Sequence, residues 1–471
     1  MEIMPHSKKA WIYQVALGLI VILFIVFKWE ALHLPFFWDE AWVYMPAIRA
    51  MADNGPSLLP GCIDPNLYTG HPLLFYYLAA TWINLFGYSL PVAHAFPMLI
   101  SISLLWSIYF ISFKWSKSYF VAITSVLLVF MQPIFLTQST FLLIEVWLAL
   151  LFVWTFYFYF NRQYFGFSIV MLLALWSKES AFVLVPCFLL VAAHEWFYKH
   201  RSAKESLLLL GNIILVFALG FSFFILQKIK LGWYFFPRHA NWINFSDLFY
   251  KFKLALQIVF IDQMRFVIFL FGAASFAYTY KSFKAIETKL LTLLMAIGIL
   301  VFGFILFASI NFFSSRYLFA CIPLAIMVCA FFIAHYVENK KQYMVMILLL
   351  YFGASTINSS IKNPIYSDVE LSYTCLLQAE VGLVNHLEKN PPTAQTYTSF
   401  LIHELLSYSQ NGFVKEKIHE LATDVKDTAN VFFIAAPNEP DPYLDSLISN
   451  KLVKEVFSSN YQQAWIKIYQ K

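Results

Sequence analysis

Apolar runs about as long as a bilayer is thick recur through the first 359 residues of this chain, and they decide which solvent it can fold in. They lie near 11–29, 91–113, 119–136, 143–160, 164–176, 180–197, 206–227, 264–280, 287–309, 317–337 and 343–358. A helix needs about 20 mainly apolar residues to cross the hydrocarbon core, so these runs predict an all-α polytopic protein with about 11 transmembrane helices. A transmembrane barrel would alternate apolar and polar residues instead. Composition agrees: 60% of residues are hydrophobic and 13% charged, against about 25% charged in a soluble domain, and mean hydropathy is +0.66. A soluble enzyme is excluded. The net charge of +5, with no basic tract interleaved with aromatics, argues against a nucleic-acid partner.

Charge divides the chain in two. Residues 1–359 carry 23 Lys+Arg and 14 Asp+Glu, and residues 360–471 carry 9 and 13. The first region is the membrane-embedded one, with a first external loop over 30–90, and the second is polar, with hydrophobic stretches too short to span. No internal repeat or low-complexity segment is visible. The run 11–29 is longer than a signal-peptide core and no small-residue cleavage site follows it, so it reads as an uncleaved first helix. The short run 72–87 sets the orientation of everything after it. If it stays juxtamembrane, Lys8, Lys9, Lys114, Lys117, Lys199, Arg201, Lys281, Lys284, Lys340 and Lys341 gather on the cytoplasmic side, and the short external loops keep only Lys178 and Arg316. The N-terminus is then cytoplasmic and 360–471 external. A second juxtamembrane helix is expected near 252–262. Of five cysteines, Cys187, Cys321 and Cys329 lie in apolar runs, while Cys62 and Cys375 could meet outside the membrane.

The external region reads as a small α/β domain. A helix is expected over 374–389 and strands over 394–399, 430–436 and 463–469, with breakers at Asn390-Pro391-Pro392 and from Pro437 to Pro442. It has no phosphate-cradling glycine loop, zinc-ligand spacing or nucleophile elbow, and is expected to act as an accessory lid.

Ionisable residues are costly near a membrane, so their positions are informative. In this topology they gather on the external face: Trp38-Asp39-Glu40, Gly70-His71-Pro72, Gln138-Ser139-Thr140 with Glu145, Ser177-Lys178-Glu179-Ser180, Pro237-Arg238-His239 and Ser315-Arg316-Tyr317. Acids beside cations at the hydrocarbon edge suit transfer of a sugar from a lipid-linked phosphate to a hydroxyl. A carboxylate takes the hydroxyl proton, and Lys or Arg neutralises the departing phosphate. Plainer roles exist for each residue. Asp39 and Glu40 suit the first turn of an amphipathic helix over 39–53, Glu145 suits a helix start, and Lys178 and Arg316 suit snorkelling from helix ends. A secondary transporter or lipid flippase is the alternative function, although its charges would lie near the midplane of broken helices, often within repeats. A non-catalytic assembly protein is the other rival.

These motifs give the chain a resemblance to the GT-C membrane glycosyltransferases, particularly the branch holding bacterial protein O-mannosyltransferase-like enzymes and the aminoarabinose transferase that modifies lipid A. The resemblance rests on Trp38-Asp39-Glu40-Ala41, on His71-Pro72-Leu73-Leu74 running to Leu85-Phe86-Gly87, on Gln138-Ser139 with an acid at 145, and on Arg316-Tyr317 with Ile322-Pro323. It implies a polyprenyl-phosphate-linked donor, a lipid, glycan or protein acceptor, inversion at the anomeric carbon, and a bacterial cytoplasmic membrane location. Asp39 resembles the essential first-loop acid, acting as base or organising an acceptor or divalent cation, with Glu40 as its neighbour. Glu145 stands where the family usually has Asp. Lys178 and Arg316 resemble the donor-phosphate residues, with His71, Arg238 and His239 as further candidates. The aminoarabinose branch has an acid just before its first-loop basic residue and proline, where this chain has Gly70.

Overall fold

The computed structural model describes residues 10–471 except 199, 241, 244, 281–287, 338–341, 363, 393 and 424–430. The basic positions Lys8, Lys9, Lys199, Lys281, Lys284, Lys340 and Lys341 fall outside the described residues.

Each of the eleven apolar runs holds a helix, but the helices differ in length. Among the described residues six are long and apolar enough to cross a membrane: Ala10–Lys28, Leu90–Ser116, Glu179–Phe197, Ala203–Leu231, Leu290–Ile310 and Val345–Lys362. A bent pair, Leu248–Phe260 with Arg265–Tyr278, turns by 72° at its break and makes a seventh if taken as one span. Its first half covers the expected juxtamembrane helix. The helices Tyr119–Phe130, Glu145–Phe160, Tyr164–Leu175 and Ile322–Ala334 are shorter. So is Leu74–Phe86, whose 13 residues reach about 20 Å at 1.5 Å per residue, short of the roughly 30 Å core.

The shortening has a local cause. The run 119–136 stops being α-helical at Gln132, because Pro133 disfavours helical backbone before it, and a separate helix, Pro133–Gln138, follows. Glu179–Val183 and Ser315–Ala320 are tight 3-10 turns that lead into longer helices, and Glu40–Tyr44 is a π turn. Polar motifs therefore sit where regular helix gives way. Elsewhere the helices approach closely over glycine: a Cβ on Gly220 would lie 2.7 Å from Leu175, and one on Gly272 would lie 3.0 Å from Cys329.

The C-terminal region is α/β. Strands β1 (Thr396–Thr398), β2 (Leu421–Ala422), β3 (Phe432–Ala435), β4 (Lys454–Tyr461) and β5 (Ala464–Gln470) form one sheet in the order β2-β1-β3-β5-β4. β1 runs parallel to β2 and β3, and β5 runs antiparallel to β3 and β4. The helix Tyr373–Lys389 packs on one face, and its buried Leu376, Ala379 and Leu383 join Ile434, Ile466 and Ile468 in a core continuous with the membrane helices. The helix Pro442–Ser449 contributes Leu444 and Leu447, which with Phe433 and Tyr469 form a separate small core. Several hydrogen bonds tie the regions together, four of them as follows. Lys28 Nζ donates to Tyr373 Oη at 3.1 Å, Gln263 Nε2 to the Val369 carbonyl at 2.9 Å, Arg49 to Gln410 Oε1 at 3.3 Å, and Phe36 N to the Asn411 carbonyl at 3.1 Å. Cys62 and Cys375 are both free; the Cys375 thiol donates to Gln462 Oε1 at 3.2 Å.

Candidate functional site

One guanidinium organises the site. Arg316 sits in the 3-10 turn that precedes the helix Ile322–Tyr336, and its side chain is 3% exposed. One terminal nitrogen donates to Asp39, the other donates to Asp368, and Nε lies 3.5 Å from Glu145 Oε1. Lys178 Nζ donates to that same Glu145 oxygen at 2.8 Å and stands 4.0 Å from the centroid of the Tyr317 ring. Buried, charge-assisted contacts of this kind are strong because no water competes for them. Three carboxylates nevertheless face two cations, and Glu145 Oε2 is buried without a partner among the described residues. Burial pushes the Asp368 carboxyl up against the opposing pull of Arg316. Burial also opposes the charge of Arg316, but Asp39 and Asp368 outweigh it and hold the guanidinium above its ordinary range.

The backbone around Asp39 explains which acid reaches Arg316. Trp38 has φ 51°, a left-handed conformation that non-glycine residues seldom adopt and that is found at functional sites. Asp39 and Glu40 follow it into a helical turn, where neighbours point about 100° apart. Glu40 therefore faces the interior, fully buried. Its carboxylate accepts from Leu142 N at 2.7 Å and Phe37 N at 3.2 Å and lies 3.2 Å from His94 Nε2. Glu40, expected as a catalytic neighbour of Asp39, thus bonds two backbone segments and lies outside the Arg316 cluster.

A second group adjoins the first. His71 Nδ1 lies 2.7 Å from Glu179 Oε2, and the His239 ring centroid is 5.3 Å from that of His71. The ligand atoms of His71, Glu179 and His239 lie within 4.8 Å of one another, and among the described residues this is the one such group of His, Cys, Asp or Glu. Two imidazoles and a carboxylate suit Zn²⁺ or a similar divalent ion. Burial, reinforced by the neighbouring His71, brings His239 down to about 4, so its imidazole is neutral and ligand-competent at neutral pH. This trio could hold a divalent ion, whereas the Asp39 carboxylate accepts from Arg316. Gly70, at φ +74°, is pressed against Trp233 and Phe236, where a Cβ would come within 3.0 Å. No acid fits there, and Glu179 brings the carboxylate to His71 from another loop. Arg238, by contrast, is exposed and lines neither cavity described next.

Two cavities share His71, His239, Trp242, Phe312 and Tyr317. The larger, about 940 Å³, runs from Asp39, Arg316 and Asp368 to Phe400, Asn438 and Glu439 of the C-terminal region. The smaller, about 400 Å³, is walled by Phe182, Phe217, Phe221, Phe224, Phe235 and Phe236, with Lys178 and Glu179 in its polar lining. Asp39, Glu145, Lys178 and Arg316, all expected from the sequence, are together. Asp368 and Glu179 were not expected. Glu179 had the signal of adjacency to Lys178, whereas Asp368 is one of 13 acids in a polar region and had none.

No family model matches the chain, and no curated protein sequence matches it. Its fold is that of solved structures of ArnT from Cupriavidus metallidurans. The structure bound to undecaprenyl phosphate superposes with a TM-score of 0.57 at 12% identity, over 99% of this chain and 98% of that one. The apo state gives 0.57 at 12% identity, over 98% of each chain. The chain therefore has the GT-C membrane fold with a small C-terminal sheet.

Proposed function

We propose that this chain is an integral membrane glycosyltransferase that moves a sugar from a polyprenyl-phosphate-linked donor to an acceptor hydroxyl, with inversion, at the extracytoplasmic face of a bacterial cytoplasmic membrane. The observation that carries the reading is that the Asp39–Arg316–Glu145–Lys178 cluster stands where an aromatic pocket and a wider cavity share a wall. The undecaprenyl phosphate bound by the ArnT structure supports a donor of that class.

In this mechanism the aromatic pocket takes the first isoprene units, and the donor phosphate rests at Lys178 and Arg316. The phosphate competes with Asp39 for the guanidinium and frees that carboxylate to accept the acceptor hydroxyl proton. The acceptor oxygen bonds to the anomeric carbon as the bond from that carbon to the phosphate oxygen breaks, and polyprenyl phosphate leaves with its charge held by Lys178 and Arg316. Three carboxylates facing two cations oppose a phosphate, and burial, which pushes the Asp368 carboxyl up, lessens that opposition. A divalent ion at His71, Glu179 and His239 would supply further positive charge beside the phosphate.

Co-location of the site residues supports the topology. Residues in contact lie on one face, so an even number of crossings separates them. If Leu90–Ser116 crosses once and the stretch formed by Tyr119–Phe130 with Pro133–Gln138 crosses back, a further crossing by Leu74–Phe86 would put Asp39 and Glu145 on opposite faces. Asp39→Asn tests the proposal. At equal protein level the variant strain accumulates one sugar-linked polyprenyl phosphate by mass spectrometry, whereas an unchanged lipid profile overturns it.

A further inference from the structure

We propose that the far wall of the larger cavity, formed by Trp42, Phe400, Asn438 and Glu439, is a saccharide subsite that seats the sugar of a carbohydrate acceptor; this deepens the transferase reading and rests on it. Phe400 follows β1 and Asn438-Glu439 follow β3, so both groups stand beyond the C-terminal ends of adjacent parallel strands, where open α/β sheets place ligands.

The chemistry of the wall fits a pyranose. Trp42 and Phe400 meet at 5.2 Å and 86°, making an aromatic corner, and they remain 37% and 53% exposed. Such rings pack against the C–H face of a sugar. Beside them, among the described residues, Asn438 has no hydrogen-bond partner for its buried amide nitrogen and oxygen, and Glu439 has none for Oε1, although its carboxyl accepts from Ser399 and from the Leu401 backbone. Polar atoms left so in a cavity wall are unfavourable until a ligand or water satisfies them. An amide that both donates and accepts, next to a carboxyl, matches neighbouring hydroxyls on one sugar ring.

Two observations choose a neutral glycan over other acceptors. Glu380 is buried with both oxygens unpartnered, and burial together with its proximity to Glu439 pushes its carboxyl up; Glu439 is pushed up by burial as well. Carboxyls pushed toward their neutral form favour hydroxyl partners over a cationic amine. The strands that lead into the wall, β1 and β3, are each paired on both sides, so no strand edge there offers backbone hydrogen bonds to an extended peptide.

The test reads tryptophan fluorescence of the full-length protein in detergent, since Trp38, Trp42 and Trp242 line this cavity. The probe is a delipidated, protease-digested glycan fraction from the source envelope, with the tryptic peptide fraction as the competing arm. The glycan fraction quenches saturably, and Asn438→Ala and Glu439→Gln each weaken that binding about tenfold, the loss expected for one buried hydrogen-bonding group. If Asn438→Ala fails to fold, the isosteric Glu439→Gln carries the test. No quenching by glycans, unchanged binding in the folded variants, or saturable quenching by peptides alone overturns the subsite. Because binding is read without donor or transfer, its failure leaves the transferase reading standing, whereas failure of the Asp39→Asn test with glycan binding intact leaves a saccharide site without its acceptor role.

Discussion

Arg316 bridges Asp39 and Asp368, joining the first loop of the chain to the residues that follow its last long helix. Both bonds come from one planar guanidinium, a fork that an ammonium cannot reproduce. Arg316→Lys should keep the protein inserted and lower turnover about hundredfold, the usual effect of losing one preorganised donor to a developing charge. Arg316→Ala leaves buried carboxylates uncompensated and should lower stability by about 3 kcal/mol. Melting of the purified variants and transfer from the lipid-linked donor measure the two effects separately.

Asp39 and Glu40 are adjacent but should behave as different kinds of residue. Asp39→Asn removes a proton acceptor beside Arg316 and should abolish transfer with an unchanged melting temperature. Glu40→Gln weakens the acceptor for Leu142 N and Phe37 N and should lower stability by about 1–2 kcal/mol while kcat stays within a few-fold. Equal loss of kcat in both would show that Glu40 reaches the chemistry.

What the sequence revealed follows from contrast. Lys178, Glu145 and Arg316 stand out because each interrupts or borders an apolar run, where a charge is unfavourable without a purpose. Asp368 lies in a stretch already rich in acids and has no such contrast. Direction was equally hidden: adjacency cannot say that Asp39 faces Arg316 while Glu40 faces His94. Strand β4 was missed because Lys454–Tyr461 is a largely exposed edge strand without apolar alternation. Hydropathy located the run 317–337, but nothing in it marks the 3-10 turn that puts Arg316 at the cluster.

Glu145 and Lys178 form a pair at 2.8 Å in which each neutralises a group that is almost fully buried. Lys178→Met alone should be destabilising by about 3 kcal/mol, since it strands the carboxylate, whereas Glu145→Gln combined with Lys178→Met should recover most of that loss. Neither should transfer sugar if Lys178 holds the donor phosphate. Additive effects on melting would refute the coupling.

His239 gives a pH dependence whose sign is set by its burial. Its folded value is about 4 against an ordinary value near 6.5, so the unfolded chain takes up the proton first as pH falls. The stability linked to neutral His239 is complete above pH about 6.5 and is lost progressively down to about 4. His239→Gln should flatten that part of the melting-temperature profile. Zn²⁺ binding to the folded protein, followed by metal analysis after gel filtration, should lose the His239 ligand only as pH approaches about 4, because protonated imidazole is no ligand. A wild-type profile identical to that of His239→Gln would remove His239 as the titrating group.

The aromatic pocket makes the last prediction, because it separates lipid binding from chemistry. Phe217, Phe221 and Phe224 come from one helix, Ala203–Leu231, and line the pocket together with Phe182. Phe221→Trp enlarges a side chain in that wall without adding charge and should leave less room for an isoprene chain. Contacts to the lipid are the same before and during sugar transfer, so their loss is uniform binding loss: donor KM should rise about tenfold with kcat unchanged. A donor with a shortened prenyl chain should lose less affinity to the substitution than the full-length donor does. If Phe221→Trp instead lowers kcat and leaves KM alone, the pocket does not hold the lipid, and the donor enters through the larger cavity.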